Sequence, residues 1–83
     1  MRSLPGCFQY DVDYLEHDVS TVGNVANERE CQDLCKKHDG CKFFGYVLPP
    51  HPAEGYRKLC FLKSRRDVVK KMYHVVSGPK HCP

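Results

Sequence analysis

Hydrophobic and polar residues alternate from Phe8 to Leu15. Phe8, Tyr10, Val12 and Tyr14 fall on one side, and Gln9, Asp11 and Asp13 on the other. A period of two predicts a strand with one buried face. Val19 to Val25 repeats the pattern more weakly and is read as a second strand ending before Asn24. The period then changes. Cys31, Leu34, Cys35 and His38 recur at steps of three and four, the spacing of a single helix face. Asn27 stands where an N-cap belongs, and Glu30 follows at capping-box distance. Lys36, Lys37 and His38 fill the last turn, where cations suit the helix dipole, and Gly40 is read as the C′ stop. The predicted helix is Glu28 to Asp39.

Lys42 to Leu48 is dense in aromatic and β-branched residues and predicts a core strand. Pro49-Pro50-His51-Pro52-Ala53-Glu54-Gly55 is a loop, since its prolines and glycine bar a ladder. Lys58 to Lys63 sets Leu59 and Phe61 against Cys60 and Leu62, a second buried strand that forms a hairpin with the first. Arg65 to Lys71 reads equally as loop or helical turn. Tyr73 to Val76 is a last strand, stopped by Ser77-Gly78-Pro79. No internal repeat or low-complexity tract interrupts the series.

Six cysteines in 83 residues change the picture. An even, dense set in a small chain marks a secreted, disulfide-stapled module. At this size a lone core stabilises a fold only marginally, so covalent staples matter. The chain reads as one domain, 1–83, with its core at 7–82. Met1-Arg2-Ser3 has no apolar stretch behind it of the kind that forms an export signal. The expectation is one module of a longer secreted protein. No apolar run approaches the roughly 20 residues of a membrane span, so no membrane insertion is expected. The net charge of +3 is too mild to argue for nucleic acid.

The cysteines can be wired from geometry. Cys31 and Cys35 are helix neighbours with Cβ atoms roughly 5–6 Å apart. A disulfide requires about 3.5–4.5 Å, so they should not pair. With Gly40 at C′, Cys41 is C″ and falls back on the last turn, which favours Cys35–Cys41. Cys31 then reaches outward to Cys60 in the sheet, and Cys7–Cys82 ties the termini. The competing reading is a zinc site from Cys31, Cys35, His38 and Cys41. It lacks a second ligand pair at matching spacing, and no metal is expected.

Three stretches carry a family resemblance: Glu30-Cys31-Gln32 with Leu34-Cys35, Gly40-Cys41-Lys42-Phe43-Phe44 with Tyr46, and Cys60-Phe61-Leu62-Lys63-Ser64. Together they resemble PAN/apple domains. The ending Val76-Ser77-Gly78-Pro79-Lys80-His81-Cys82 is similar to the apple domains of apicomplexan microneme adhesins, which often occur in tandem. The resemblance spans Cys7 to Cys82. It implies a small disulfide-rich α+β fold: an antiparallel sheet of about five strands with one α-helix packed on it. It also implies first–sixth, second–fifth and third–fourth pairing of the cysteines, and a binding function without catalysis.

Candidate chemistry is sparse. His17, His38, His51, His74 and His81 are scattered and are read as surface residues. No serine sits in a nucleophile elbow, and paired cysteines leave no thiolate. Neither an enzyme nor a cofactor is expected. Lys58, Lys63, Arg65, Arg66, Lys70 and Lys71 crowd into 14 residues, relieved only by Asp67. A sulfated glycan or acidic protein patch would suit this cluster; a solvated edge that keeps the module soluble explains it as well. The candidate ligand-binding set is Lys63, Arg65, Arg66, Lys70, Lys71 and Tyr73. A neutral sugar would instead use Tyr46, Tyr56 and Tyr73 with Lys58, Lys63 or Asp67, although core packing also accounts for Tyr46.

The resemblance implies a secreted adhesive module that binds protein or carbohydrate in host-cell attachment, released through a parasite's microneme organelle. Its partners would be a host-cell surface protein or glycan, a neighbouring apple domain or a partner adhesin. The alternatives are a structural or protein-docking apple module, and an apple domain of a protease zymogen.

Overall fold

The computed structural model describes residues 7–82. Met1-Arg2-Ser3, read above for an export signal, lies outside the described residues. The elements run β1 (Gln9–Leu15), β2 (Asp18–Val22), α1 (Glu28–Lys37), β3 (Phe43–Val47), a single 3-10 turn (Glu54–Tyr56), β4 (Cys60–Lys63) and β5 (Val68–Pro79). The five strands form one antiparallel sheet in the order β1-β5-β3-β4-β2.

Alternation on β3 and β4 divides the sheet into two faces. Phe44, Tyr46, Cys60 and Leu62 turn to one side and bury against Cys31, Cys35 and Val25. This is the core beneath α1. Phe8 closes one end with its ring edge-on to Phe44 at 5.3 Å. The Tyr46 hydroxyl, buried in the same core, donates to the Val25 carbonyl at 2.6 Å. Gln32 spans from α1 to the end of β5 and donates to the Pro79 carbonyl at 3.1 Å.

Asn27 caps α1 as its sequence position requires, accepting from the Glu30 amide at 2.9 Å. The other end differs from expectation. The helix stops at Lys37, the cap is His38 in extended geometry, and Cys41 is turned back by its own N–H to the His38 carbonyl. Gly40 is not in the left-handed region, so it is not the C′ stop. The bridges are Cys7–Cys82, Cys31–Cys60 and Cys35–Cys41. Cys35 and Cys41 meet through the turn after His38 rather than through a glycine-capped helix end. With every cysteine bridged, the zinc reading has no thiolates.

β5 is also longer than expected. The segment Arg65 to Lys71, read as loop or helical turn, enters the sheet at Val68, and the strand passes through Ser77-Gly78 to Pro79. Its first half is outwardly exposed and carries no burial rhythm. β1 provides the ladder, pairing Leu15 with Val68 through to Val12 with Lys71.

Glu16 and His17 alone link β1 to β2, and both have positive φ, 65° and 63°. Yet β1 and β2 lie at opposite edges of the sheet. Edges four strand spacings apart would be about 19 Å distant in a flat sheet. Three Cα steps from Leu15 to Asp18 reach at most about 11 Å. The sheet therefore curls until its edges approach. A bulge drives the bend: the β1–β5 register slips between Tyr10 and Val12, where Asp11 (φ 61°) faces His74 (φ 69°). Aspartate tolerates this region well, and its side chain secures it by accepting from the His74 amide at 3.0 Å.

Candidate functional site

The curl makes the helix-free face concave. Gly45 sits on that face in the centre of β3, and a Cβ there would lie 3.5 Å from Ser77 Oγ, 3.6 Å from Asp13 Oδ1 and 3.7 Å from Lys63 Cε. Three strands thus converge on a position that has no side chain of its own. Ser77, fully buried, donates its hydroxyl to the Val12 carbonyl at 2.6 Å and fixes β1 over β5.

Beside this cluster lies a cavity of about 310 Å³. β1 contributes Asp13 to its lining, β3 contributes Val47, β4 contributes Phe61, and β5 contributes Met72 and Val75. The β3–β4 loop adds His51 and Tyr56, whose ring centroids are 6.1 Å apart. His51 Nδ1 accepts from the Ala53 amide at 3.0 Å, and the His51 amide donates to the Leu48 carbonyl at 3.0 Å. These local bonds hold a proline-rich loop against the cavity mouth. A volume near 300 Å³ is at the lower end for ligand pockets and suits one side chain or one sugar ring.

Asp13 is the one carboxylate in the lining. Burial is the main influence on it and raises its pKa, aided by the charge of Asp18; Lys63 and a hydrogen bond from the Tyr14 backbone act the other way. Among the described residues it has no ion-pair partner. The nearby Lys63 ammonium pairs instead with Asp18 and also donates to the Glu16 carbonyl at 3.3 Å.

The structure disperses the basic residues singled out by sequence. Lys63 is only 4% exposed. Arg65 binds Asp67 at 2.9 Å, and Asp67 also takes His17 at 3.0 Å. Arg66 lies over the rings of Tyr14 and Phe43 at 5.5 and 5.4 Å. Lys70 is opposite Asp13 in the ladder, whereas Lys71 and Tyr73 fall on the other side of β5, the ammonium 5.2 Å from the ring centre. The tyrosines are dispersed too. Tyr46 is in the core, where burial raises its pKa, and Tyr73 is 64% exposed on the outer side. Tyr56 alone of the three lines the cavity. Sequence reasoning missed Asp13, His51 and Met72. Asp13 followed an alternation that the bulge resets, and His51 looked like an ordinary loop residue.

A fold of one helix on a five-stranded sheet, held by three bridges and concave on the side away from the helix, defines a small disulfide-rich α+β module. Residues 7–82 match the family model described as the PAN domain, and the chain belongs to that family. Among solved structures it is similar to a PAN module from Eimeria tenella, with a TM-score of 0.62 and 24% identity over 100% of this chain and 88% of that one. PAN modules are in general binding domains for proteins or carbohydrates, and a disulfide-rich build of this kind is typical of extracellular proteins.

Proposed function

We propose that this module is an extracellular adhesive domain that receives a group of its partner, a protein side chain or a sugar ring, in the concave cavity. The observation that carries the reading is the convergence of Asp13, His51 and Tyr56 on an otherwise apolar hollow of about 310 Å³. A mostly apolar pocket with a few converging polar groups is the usual form of a recognition site. Attachment of a parasite to host cells is the setting we propose. Support comes from the apicomplexan-like tail Val76 to Cys82 and from the shared fold of the Eimeria tenella module.

A second reading places binding of a sulfated glycan on the tract containing Arg65, Arg66, Lys70, Lys71 and Tyr73, with Lys63 behind it. The exposure of Lys70 and Lys71 favours it. Glycan and extracellular-protein arrays probed with the domain separate the two. Met72→Trp, which fills the cavity, abolishes binding on the first reading, while Arg65→Ala/Arg66→Ala and added salt leave most of it. The reverse pattern assigns binding to the basic tract, since exposed charges are screened beyond roughly 8–10 Å at physiological salt.

A further inference from the structure

The cavity lining holds one carboxylate, Asp13, that makes no ion pair among the described residues. His51 and Tyr56 add an imidazole and a phenol, and Val47, Phe61, Met72 and Val75 are apolar. Around it, two carboxylates, Asp13 and Asp18, face one ammonium, Lys63, which is already bound by Asp18 and the Glu16 carbonyl. Lys70 lies across the ladder from Asp13, yet among the described residues Asp13 makes no ion pair with either lysine. Val47, Met72 and Val75 offer an apolar wall, and the rings of Tyr56 and Phe61 line the same hollow. The fold seats its own cations on rings: Lys63 over Phe61, a ring of the lining, at 5.6 Å, Lys71 on Tyr73, and Arg66 on Tyr14 and Phe43. This leaves Tyr56 as the lining ring without a cation over it among the described residues.

An aliphatic stem with a positive end matches all of these features. Its methylenes would lie on the valine and methionine wall, its charge would meet Asp13, and ring faces attract cations. Resting on the reading of the cavity as the binding site, we propose that it takes a lysine or arginine side chain from a partner protein. A neutral sugar could use the rings but would leave the carboxylate unpaired. An anionic guest would meet the Asp13 carboxylate in the lining. Lys70 stands across the ladder from Asp13, so its exposed ammonium is the guest's nearest competitor on β5.

The test is an amide-shift titration of the ¹⁵N-labelled domain with three probes: Nα-acetyl-lysine methylamide, its norleucine counterpart and galactose. The lysine probe is expected to shift amides at Val47, Phe61, Met72 and Val75. Norleucine should bind roughly tenfold more weakly, the loss of one charge-assisted hydrogen bond. Asp13→Asn, nearly the same shape, should lose a similar factor, and Lys70→Ala should tighten binding. Equal binding of lysine and norleucine, indifference to Asp13→Asn, or no shift at the cavity overturns the proposal. Galactose shifting the cavity while lysine does not also overturns it, but leaves the cavity as the binding site. Array binding that survives Met72→Trp overturns both.

Discussion

Removing the two bridges of α1 one at a time tests how loop length sets their contribution. Cys31–Cys60 closes a sequence separation of 29 residues and Cys35–Cys41 one of 6. In the chain-entropy model the stabilisation grows as 1.5RT times the logarithm of loop length. The ratio of the two loops makes Cys31–Cys60 worth about 1.4 kcal/mol more. All four cysteines are 0% exposed. Each double mutant, Cys31→Ala/Cys60→Ala or Cys35→Ala/Cys41→Ala, therefore removes two fully buried sulfurs, and core damage at Cys31 would add to the entropic difference rather than reverse it. Urea melts of the two double mutants provide the assay. With m near 1–3 kcal/mol/M for a small domain, the midpoints should fall about 0.5–1.4 M apart, with the Cys31/Cys60 variant the weaker. Coincident midpoints, or the opposite order, would refute the entropic reasoning and place the worth of these bridges in local native-state geometry.

Other substitutions examine the rest of the architecture. Gly78→Ala would bring a Cβ within 3.0 Å of the Phe44 ring and 3.2 Å of Phe8; an overpacking loss of about 1–3 kcal/mol is expected in the same melts. Tyr46→Phe leaves the Val25 carbonyl without its hydroxyl donor, and about 1–2 kcal/mol should be lost while the near-ultraviolet signature of the folded core persists. Asp13→Asn should stabilise the free domain at neutral pH, since burial opposes the charged carboxylate. Its pKa is raised on folding, so the wild type gains stability below the unfolded-state pKa and loses it as pH rises through the folded one. The mutant's advantage should accordingly vanish in acid; an advantage independent of pH would count against this account of Asp13.

Much of the scaffold is legible in the residues. The cap at Asn27, the apolar stripe of α1, and the division of Cys60 and Leu62 from Phe61 follow from local periodicity, which burial enforces directly. Arg65 to Lys71 is different. Val68, Val69, Lys70 and Lys71 are all exposed, so no burial rhythm marks them as a strand; pairing with β1 decides it, and that partner is more than fifty residues away. The stop of α1 misled for a related reason: Gly40 is suited to a left-handed turn, but the chain reverses through a His38–Cys41 contact instead. The cavity is the least legible feature. It exists because the Asp11–His74 bulge and the short Glu16–His17 link curl the sheet, and that curl brings Asp13 to Met72 and His51. None of the three is distinctive alone. The basic tract stood out as composition, yet cross-strand pairing and ion pairs with Asp18 and Asp67 scatter it over several faces.

The most direct measurement is amide hydrogen exchange of the domain with and without a partner selected from the arrays. The account predicts new protection on the strands and loop around the cavity, at Asp13, Val47, His51 to Tyr56, Phe61 and Met72 to Val75, with α1 unchanged. Protection confined to Arg65 to Lys71, or to the outer surface of α1, would contradict it.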